Sequence, residues 1–273
     1  MHYRISEIAS MLGLSISALR FFEKNGLLSP KRDEQNDYRL YEPIDLNRFL
    51  RIKTYTECGF TLQETVNLLK TESLGEISSL YLGRADELER ELAWKKRCLD
   101  YMRDMARELD YAQSMVGKWA FRARPAMYCL PFRTKEQITL SSEIRDRTRQ
   151  WVSYKPLSQS LVITSPDTLR VSAQLGTFGM LIEERYAEGL NIEPDQLVTY
   201  YPREEQCVFC VYTGNTGTPG GMEEWLSSIE RELRASGYEP YGEIIGRVLH
   251  TGHGSNDKLF GAVEYWLPVR TLG

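Results

Sequence analysis

The chain reads as an α+β protein in three parts. These are an N-terminal winged helix-turn-helix, a long dimerisation coiled-coil helix, and a C-terminal domain with a duplicated β-α-β-β antiparallel sheet. Three observations predict this. Short helical patterns broken by glycine turns fill residues 1–72. A heptad stripe without Gly or Pro between Arg84 and Val116 runs through most of residues 73–120. Residues 121–273 then repeat one order of strand, helix, strand, strand.

The N-terminal elements follow from local chemistry. Ile5, Ile8, Ala9 and Leu12 recur at helical spacing until Gly13 breaks the pattern. Ser15 or Ser17 caps a second run, Ala18 to Lys24, which stops at Asn25 and Gly26 as a left-handed C-cap would. A polar stretch from Ser29 to Asp37 leads into Tyr38-Arg39-Leu40-Tyr41 and reads as a small hairpin or wing. A third helix runs through Leu46, Phe49, Leu50 and Ile52 to about Cys58. Thr61 and Glu64 then form a capping box that opens a fourth.

Ser73 with Glu76 is another capping box. Leu88, Leu92, Lys95, Leu99, Met102, Ala106, Leu109, Gln113 and Val116 follow alternating steps of four and three. A helix of about 40 residues would be about 60 Å long at 1.5 Å per residue. So narrow a stripe wants a partner helix: a homodimeric coiled coil is expected, and an intramolecular hairpin with the C-terminal domain is the alternative. Lys95 and Gln113 within the seam suggest register selection.

In the C-terminal part the first copy comprises a strand (Met127 to Arg133), a helix (Ser142 to Val152) and strands at Ser160 to Thr164 and Leu169 to Ile182. The second comprises a strand (Gln206 to Thr213), a helix (Met222 to Ser236) and strands at Glu243 to His250 and Leu259 to Val269. Such a duplication forms an antiparallel sheet with both helices on one face and a cleft between the copies. On the last strand, Glu264 and Trp266 point one way, and Val263, Tyr265 and Leu267 the other.

Composition bounds the function. At 273 residues, 42% apolar and 26% charged, the chain is a folded protein of about two domains. No stretch approaches the roughly 18 apolar residues of a membrane span, and the N-terminus lacks a signal peptide's apolar core. Five cysteines is an odd and sparse set, which points to reduced thiols in a cytoplasm. The net charge of −4 is unlike that of a nucleic-acid binder. Residues 1–70 hold ten Lys/Arg against nine Asp/Glu, so placement matters more than bulk charge. Arg20 and Lys24 on the second helix, Lys31 and Arg32 opening the wing, and Arg39 at its end would make one basic surface.

The N-terminal blocks resemble the MerR family of transcription regulators. The resemblance rests on Tyr3 to Ala9, Leu19 to Pro30, Tyr38 to Tyr41 and Gly59 to Glu64, in family order and spacing. The C-terminal half resembles the GyrI-like effector-binding domains of the multidrug-sensing branch, through its topology, aromatic content and the ending Glu264 to Val269. The resemblance implies a homodimer on promoter DNA whose spacer is over-long. An effector lets that dimer bend and untwist the duplex so that RNA polymerase can engage both promoter elements. Ser15, Ser17 and Arg20 would enter the major groove, Tyr38 and Arg39 would contact phosphates, Phe21 could pack against sugar, and Lys24 would belong to the DNA-contacting basic surface. Family members usually carry tyrosine where this chain has Phe21 and Phe22, so any hydroxyl-to-phosphate bond there is missing.

For the effector, the resemblance implies a flat, apolar, cationic or aromatic compound beside a buried acid. Glu264 and Trp266 suit this through charge and cation–π attraction. Tyr128, Phe178, Tyr200, Phe209 and Tyr212 are further candidate lining residues. Other classes are weighed against this one. Cys207-Val208-Phe209-Cys210 is a CxxC on a strand, so its thiols face opposite sides and cannot chelate one metal. His250 and His253 lack a third ligand, and neither a metal nor another cofactor is expected. Some free-standing GyrI-like domains are hydrolases that use a buried Glu, but no catalytic motif occurs here and an enzyme is not expected. A nucleotide second messenger held by Arg145, Arg147 and Arg149 is the remaining alternative.

Overall fold

The computed structural model describes residues 2–33, 38–134, 138, 141–167, 176–215, 221–253 and 259–272. The chain divides into two compact units, Met1–Trp94 and Lys95–Gly273. The division falls inside one helix, so the segment expected as a separate dimerisation part is shared between them.

The first unit opens with β1 (Tyr3–Arg4), α1 (Ile5–Leu12) and α2 (Ile16–Lys24). Gly13 takes φ +65°, a left-handed turn that suits glycine, and Leu14 N–H donates back to Ala9 O at 2.9 Å. The two helices are thereby bent by 110°, within the helix-turn-helix range. Ser15, rather than Ser17, caps α2: its Oγ accepts Ala18 N–H at 3.1 Å. The wing pairs β2 (Lys31–Arg32) with β3 (Arg39–Tyr41), and β3 also pairs β1. This third strand was not expected from the sequence, where the first helical pattern begins at Ile5 and no strand precedes it. Residues 34–37 of the expected wing lie outside the described residues.

Next come α3 (Pro43–Glu57), α4 (Leu62–Lys70) and α5 (Leu74–Met115). The expected capping box closes reciprocally: Thr61 N–H donates to Glu64 at 2.7 Å and Glu64 N–H to Thr61 at 3.3 Å. Ile8, Ala9, Leu19, Leu27, Leu28, Tyr41, Phe49 and Ile52 form the core of this unit. Tyr81, early in α5, packs edge-on against Phe60 at 5.5 Å. That contact ties the start of the long helix to the helices of the first unit.

The second unit adds β4 (Trp119–Phe121), β5 (Met127–Thr134), α6 (Ser142–Ser153), β6 (Gln159–Thr164), β7 (Thr177–Glu183), α7 (Glu184–Ala187) and β8 (Thr199–Tyr201). The chain continues through β9 (Cys207–Asn215), α8 (Gly221–Ala235), β10 (Tyr238–Pro240), β11 (Ile244–His253) and β12 (Leu259–Thr271). Among the described residues, nine strands form an antiparallel sheet of order β4-β9-β12-β11-β6-β7-β5-β8, with β10 beside β12. Both copies are visible: β5-β7-β6 and β9-β12-β11 meet where β6 pairs β11. Residues 168–175, part of the first copy's expected last strand, lie outside the described residues.

Strand alternation divides the core into two layers. Val208, Cys210, Tyr212, Val263, Tyr265 and Leu267 face α8, whose Met222, Leu226, Ile229 and Leu233 cover them. Cys207, Phe209, Val211, Leu161, Leu181, Ile245 and Trp266 face the other way, against Ala112 and Met115 at the end of α5. The expected facing of the last strand is therefore observed. Among the described residues no single helix is long and apolar enough to cross a membrane.

Every residue of the heptad seam from Leu88 to Val116 is exposed, Leu92 at 62% and Met102 at 65%. The neighbouring face of α5 is occupied. Tyr101 meets the Tyr186 ring at 5.7 Å and Gln159 at 3.0 Å, and Arg97 donates to Tyr186 O at 2.6 Å. The helix thus carries two stripes, one packed on the sheet unit and one uncovered.

Gly179 offers a test of the first copy's packing. A Cβ there would stand 2.2 Å from Leu130 O and 2.8 Å from Pro131 Cα, both backbone atoms of the paired strand. Gly179→Ala is expected to destabilise the second unit by about 1–3 kcal/mol, read as a lower urea midpoint in tryptophan fluorescence.

Candidate functional site

Each unit carries a distinct polar site. In the first, a cleft of about 730 Å³ lies between the helix-turn-helix and the wing, lined by Arg4, Ile5, Ser6, Arg20, Arg32, Tyr38 and Arg39. Four guanidinium groups converge there from β1, α2, β2 and β3. Arg39 is held in place: its Nε donates to Glu23 Oε2 at 2.7 Å, and the Tyr41 hydroxyl bonds the other oxygen of the same carboxylate. Glu23, one turn beyond Arg20 on α2, therefore ties the recognition helix to the wing. Planar donors on a fixed frame suit phosphate oxygens and guanine edges.

The expected basic surface is only partly assembled. Arg20, Arg32, Tyr38 and Arg39 line the cleft, whereas Lys31 turns to Glu42 at 2.8 Å. Lys24, Ser15, Ser17 and Phe21 are not in its described walls, although Lys24, Ser17 and Phe21 are exposed on or near α2. Ser15 is engaged as the helix cap. Phe21 is 53% exposed, while its neighbour Phe22 packs on Phe49 at 5.6 Å. Arg4 is the residue that sequence reasoning missed. Its signal was Glu7 three positions on: Glu7 accepts Arg4 N–H at 2.6 Å, the mark of a helix N-terminus that leaves Arg4 on a strand.

The second site is a cavity of about 330 Å³ lined by Glu108, Arg122, Ala123, Pro125, Glu183, Arg185, Arg203, Arg247 and Trp266. Its floor is Arg247, which is 2% exposed. From β11, Arg247 bonds Glu264 on β12 and Glu183 on β7. It also reaches Gln159 on β6 at 3.3 Å and Glu108 on α5 at 3.7 Å. Arg122 bonds Glu108 at 2.8 Å and lies over the rings of Tyr111 and Phe209 at 4.5 and 4.9 Å. Arg185 bonds Glu183 at 2.8 Å. Burial pushes the Glu264 carboxyl up to about 7 against the pull of Arg247, with Glu108 reinforcing the rise.

Of the seven residues expected around the effector, three come together. Trp266 lines the cavity, Phe209 stacks edge-on against it at 5.8 Å, and Glu264 lies fully buried behind Arg247. The expectation that the other four share this pocket is corrected by strand parity. Tyr212 belongs to the α8 layer, and Phe178 packs against that layer. Tyr128 and Tyr200 pair with each other at 4.9 Å, with Tyr200 donating to Glu184 at 2.8 Å. Their neighbours Met127, Cys129 and Tyr201 take the cavity-side layer instead. The arginines of α6 do not gather either: Arg147 bonds Asp195 at 2.7 Å and Arg149 bonds Asp146 at 3.4 Å.

Cys207 and Cys210 lie in opposite layers of the core. Burial pushes the Cys207 thiol up to about 11 and raises Cys129 and Cys210 further, which makes all three poor nucleophiles. Among the described residues, no three His, Cys, Asp or Glu side chains gather as a metal site.

Comparison with known proteins bears on the first unit above all. The profile of the MerR HTH family regulatory proteins matches residues 3–72. The HTH-type transcriptional regulator CueR of Escherichia coli O157:H7 is 30% identical over 111 residues, which span 41% of this chain and 73% of that protein. The HTH-type transcriptional activator Mta of Bacillus subtilis is 23% identical over 192 residues, 69% of this chain and 72% of that one. Among solved structures, that of an EcmrR–DNA complex is 16% identical, covers 98% of this chain and all of the other, and has a TM-score of 0.39.

The buried cluster makes a direct prediction. Arg247→Met leaves Glu264 and Glu183 buried without their shared countercharge, so the second unit should lose about 3–5 kcal/mol of stability at neutral pH. Urea unfolding followed by tryptophan fluorescence measures this, and a loss below about 1 kcal/mol would show that Arg247 is not the hub.

Proposed function

The chain belongs to the MerR family of helix-turn-helix regulatory proteins and is a DNA-binding transcription regulator; on that premise we propose that it is a homodimeric, effector-responsive activator. The observation that carries the reading is the two-sided α5. Glu108 stands in the wall of the cavity, and its neighbour Leu109 lies on the exposed heptad seam. A molecule that moves Glu108 therefore acts on a residue adjoining the proposed dimer contact. The same helix begins against Tyr55 and Phe60 of the DNA-binding unit.

In this reading the seam pairs with that of a second copy, covering Leu88, Leu92, Leu99, Met102 and Leu109. The coiled coil sets the separation of two recognition helices, and half-sites about 34 Å apart require such a spacer. The arginine cleft grips phosphates, and Arg20 reads a base edge. An aromatic effector occupies the cavity against Trp266 and biases the dimer towards a state that bends and untwists an over-long promoter spacer. A bend of this kind costs of order 1–6 kcal/mol, offset by added protein contacts, and lets RNA polymerase engage both promoter elements. Such a protein works in the cytoplasm, beside its promoter.

A cation at Glu264, the sequence expectation, would have to displace Arg247 first. The hydrolase alternative meets the same obstacle, because Glu264 is fully buried and stands outside the cavity wall. Incubation with a bound compound separates these classes: an unchanged ligand mass accords with sensing, and a changed one with catalysis.

Three measurements test the proposal. Arg20→Ala should weaken binding to the protein's own promoter fragment by about 1–3 kcal/mol and relax preference at one base position. Arg4→Ala and Arg32→Ala should weaken binding to all duplexes alike, and lower the slope of log K against log salt by about one each. Leu99→Lys should convert the dimer to protomers in sedimentation equilibrium, while a wild-type protomer that binds DNA alone would overturn the dimer.

A further inference from the structure

We infer that the cavity of the second unit holds its aromatic effector by an oxyanion, a carboxylate or a phosphate, received by Arg122 and Trp266. The inference rests on the effector-binding role proposed for this cavity and names the chemical class of the ligand.

The argument begins with what the walls already satisfy. Two carboxylates line the cavity, and both are engaged. Glu108 is paired with Arg122 at 2.8 Å and Arg247 at 3.7 Å, while Glu183 is paired with Arg247 and with Arg185 at 2.8 Å. Glu264, the third acid of the cluster, is fully buried, bonded to Arg247 and absent from the wall. An entering cation therefore finds no uncompensated acid. It would have to displace a guanidinium, which would itself then lie buried without its partner, a change costing several kcal/mol.

The donors tell the opposite story. Arg122 Nη1 and Trp266 Nε1 are both buried N–H donors without an acceptor. Both residues line the cavity. A buried donor without an acceptor carries a desolvation penalty that a ligand oxygen relieves, and a charged oxygen relieves it best. The orphaned oxygens of the cluster do not reverse this. Glu108 Oε2 has Arg247 as its charge partner at 3.7 Å, and Glu264 Oε2 is not in the wall. Arg122 is also held from beneath, its guanidinium 4.5 Å from the Tyr111 ring and 4.9 Å from that of Phe209. The donor is thus oriented before a ligand arrives. Arg203 and Arg185 add two further guanidinium groups to the wall. The Trp266 indole, Ala123 and Pro125 supply apolar surface for a ring. The volume of about 330 Å³ lies at the lower end of the small-molecule range.

Four compounds of one shape test the inference by titration calorimetry on the full chain: 2-naphthoate, 2-naphthyl phosphate, 2-naphthamide and 2-naphthylmethylammonium. One or both anions should bind, with the amide and the ammonium at least about tenfold weaker. The stronger of the two anions identifies the oxyanion. Arg122→Gln should lower anion affinity by about tenfold or more, Arg122→Lys should restore part of it, and Trp266→Phe should weaken the anion while retaining a ring. Urea midpoints of each variant show that it is folded. Preference for the ammonium, anion affinity unmoved in all three variants, or no binding by any of the four would overturn the inference. Promoter transcription assayed with the same compounds keeps the two readings apart. An ammonium that binds and activates leaves the effector role standing without the oxyanion. An anion that binds through Arg122 yet leaves transcription unmoved leaves the oxyanion site standing without the effector role.

Discussion

One guanidinium holds the second unit together. Arg247, on β11, is 2% exposed and draws on partners from four other elements: β6, β7, β12 and α5. A charge so far from water is tolerable only with its partners in place, since the desolvation of each ion is repaid by close geometry alone. That requirement has structural consequences. It joins the two copies of the β-α-β-β unit across the β6–β11 pairing. It fixes where the end of α5 crosses the sheet. A cavity lies beside the guanidinium, with Arg247, Glu108 and Glu183 in its wall.

The long helix is the second constraint, and it acts through the first. Its inner stripe (Tyr101, Asp104, Glu108, Tyr111, Ala112, Met115) is committed to the sheet unit through rings, ion pairs and packing. The outer stripe (Leu88, Leu92, Leu99, Met102, Leu109) is apolar and uncovered. A helix can serve two partners only if their stripes do not overlap, and here they are offset around its circumference. The coupling proposed for this protein would use that economy of surface, since Glu108 stands in the cavity wall and its neighbour Leu109 on the uncovered stripe. At the other end of the chain the Glu23 carboxylate plays a smaller version of the Arg247 part. It holds Arg39 and Tyr41 of the wing against the recognition helix.

Much of this architecture was legible in the amino-acid order. Helix ends followed from capping residues: Gly13 and Gly26 close α1 and α2, and the Thr61–Glu64 pair opens α4. Both copies of the sheet unit could be read from strand and helix periods, with ends within a few residues of those observed, apart from the expected strand start at Leu169, which lies outside the described residues. The facing of Glu264 and Trp266 against Val263, Tyr265 and Leu267 followed from strand parity alone. Errors arose where parity had to be compared between strands. Tyr128, Phe178, Tyr200 and Tyr212 were grouped with Trp266 by composition. Which face each occupies depends on cross-strand register, which no single strand's pattern reveals. Arg4 was lost for a related reason: a two-residue strand has no period of its own and exists only because β3 pairs with it.

The sequence by itself therefore determined the local elements, their order, the faces of each strand and the heptad stripe. All of these arise from interactions within a few residues of chain. The tertiary structure alone decided which charges meet. That Glu264 is answered by Arg247 instead of lying open to a cation, that Glu108 from a helix joins acids from two strands, and that Arg122 and Trp266 keep donors without acceptors all depend on residues far apart in the chain, such as Arg247 and Gln159, 88 positions apart. The physical reason is that a buried charge is governed by whatever the fold brings within a few ångströms of it. Coulomb attraction in a low-dielectric interior depends on distance in space and takes no account of distance along the chain.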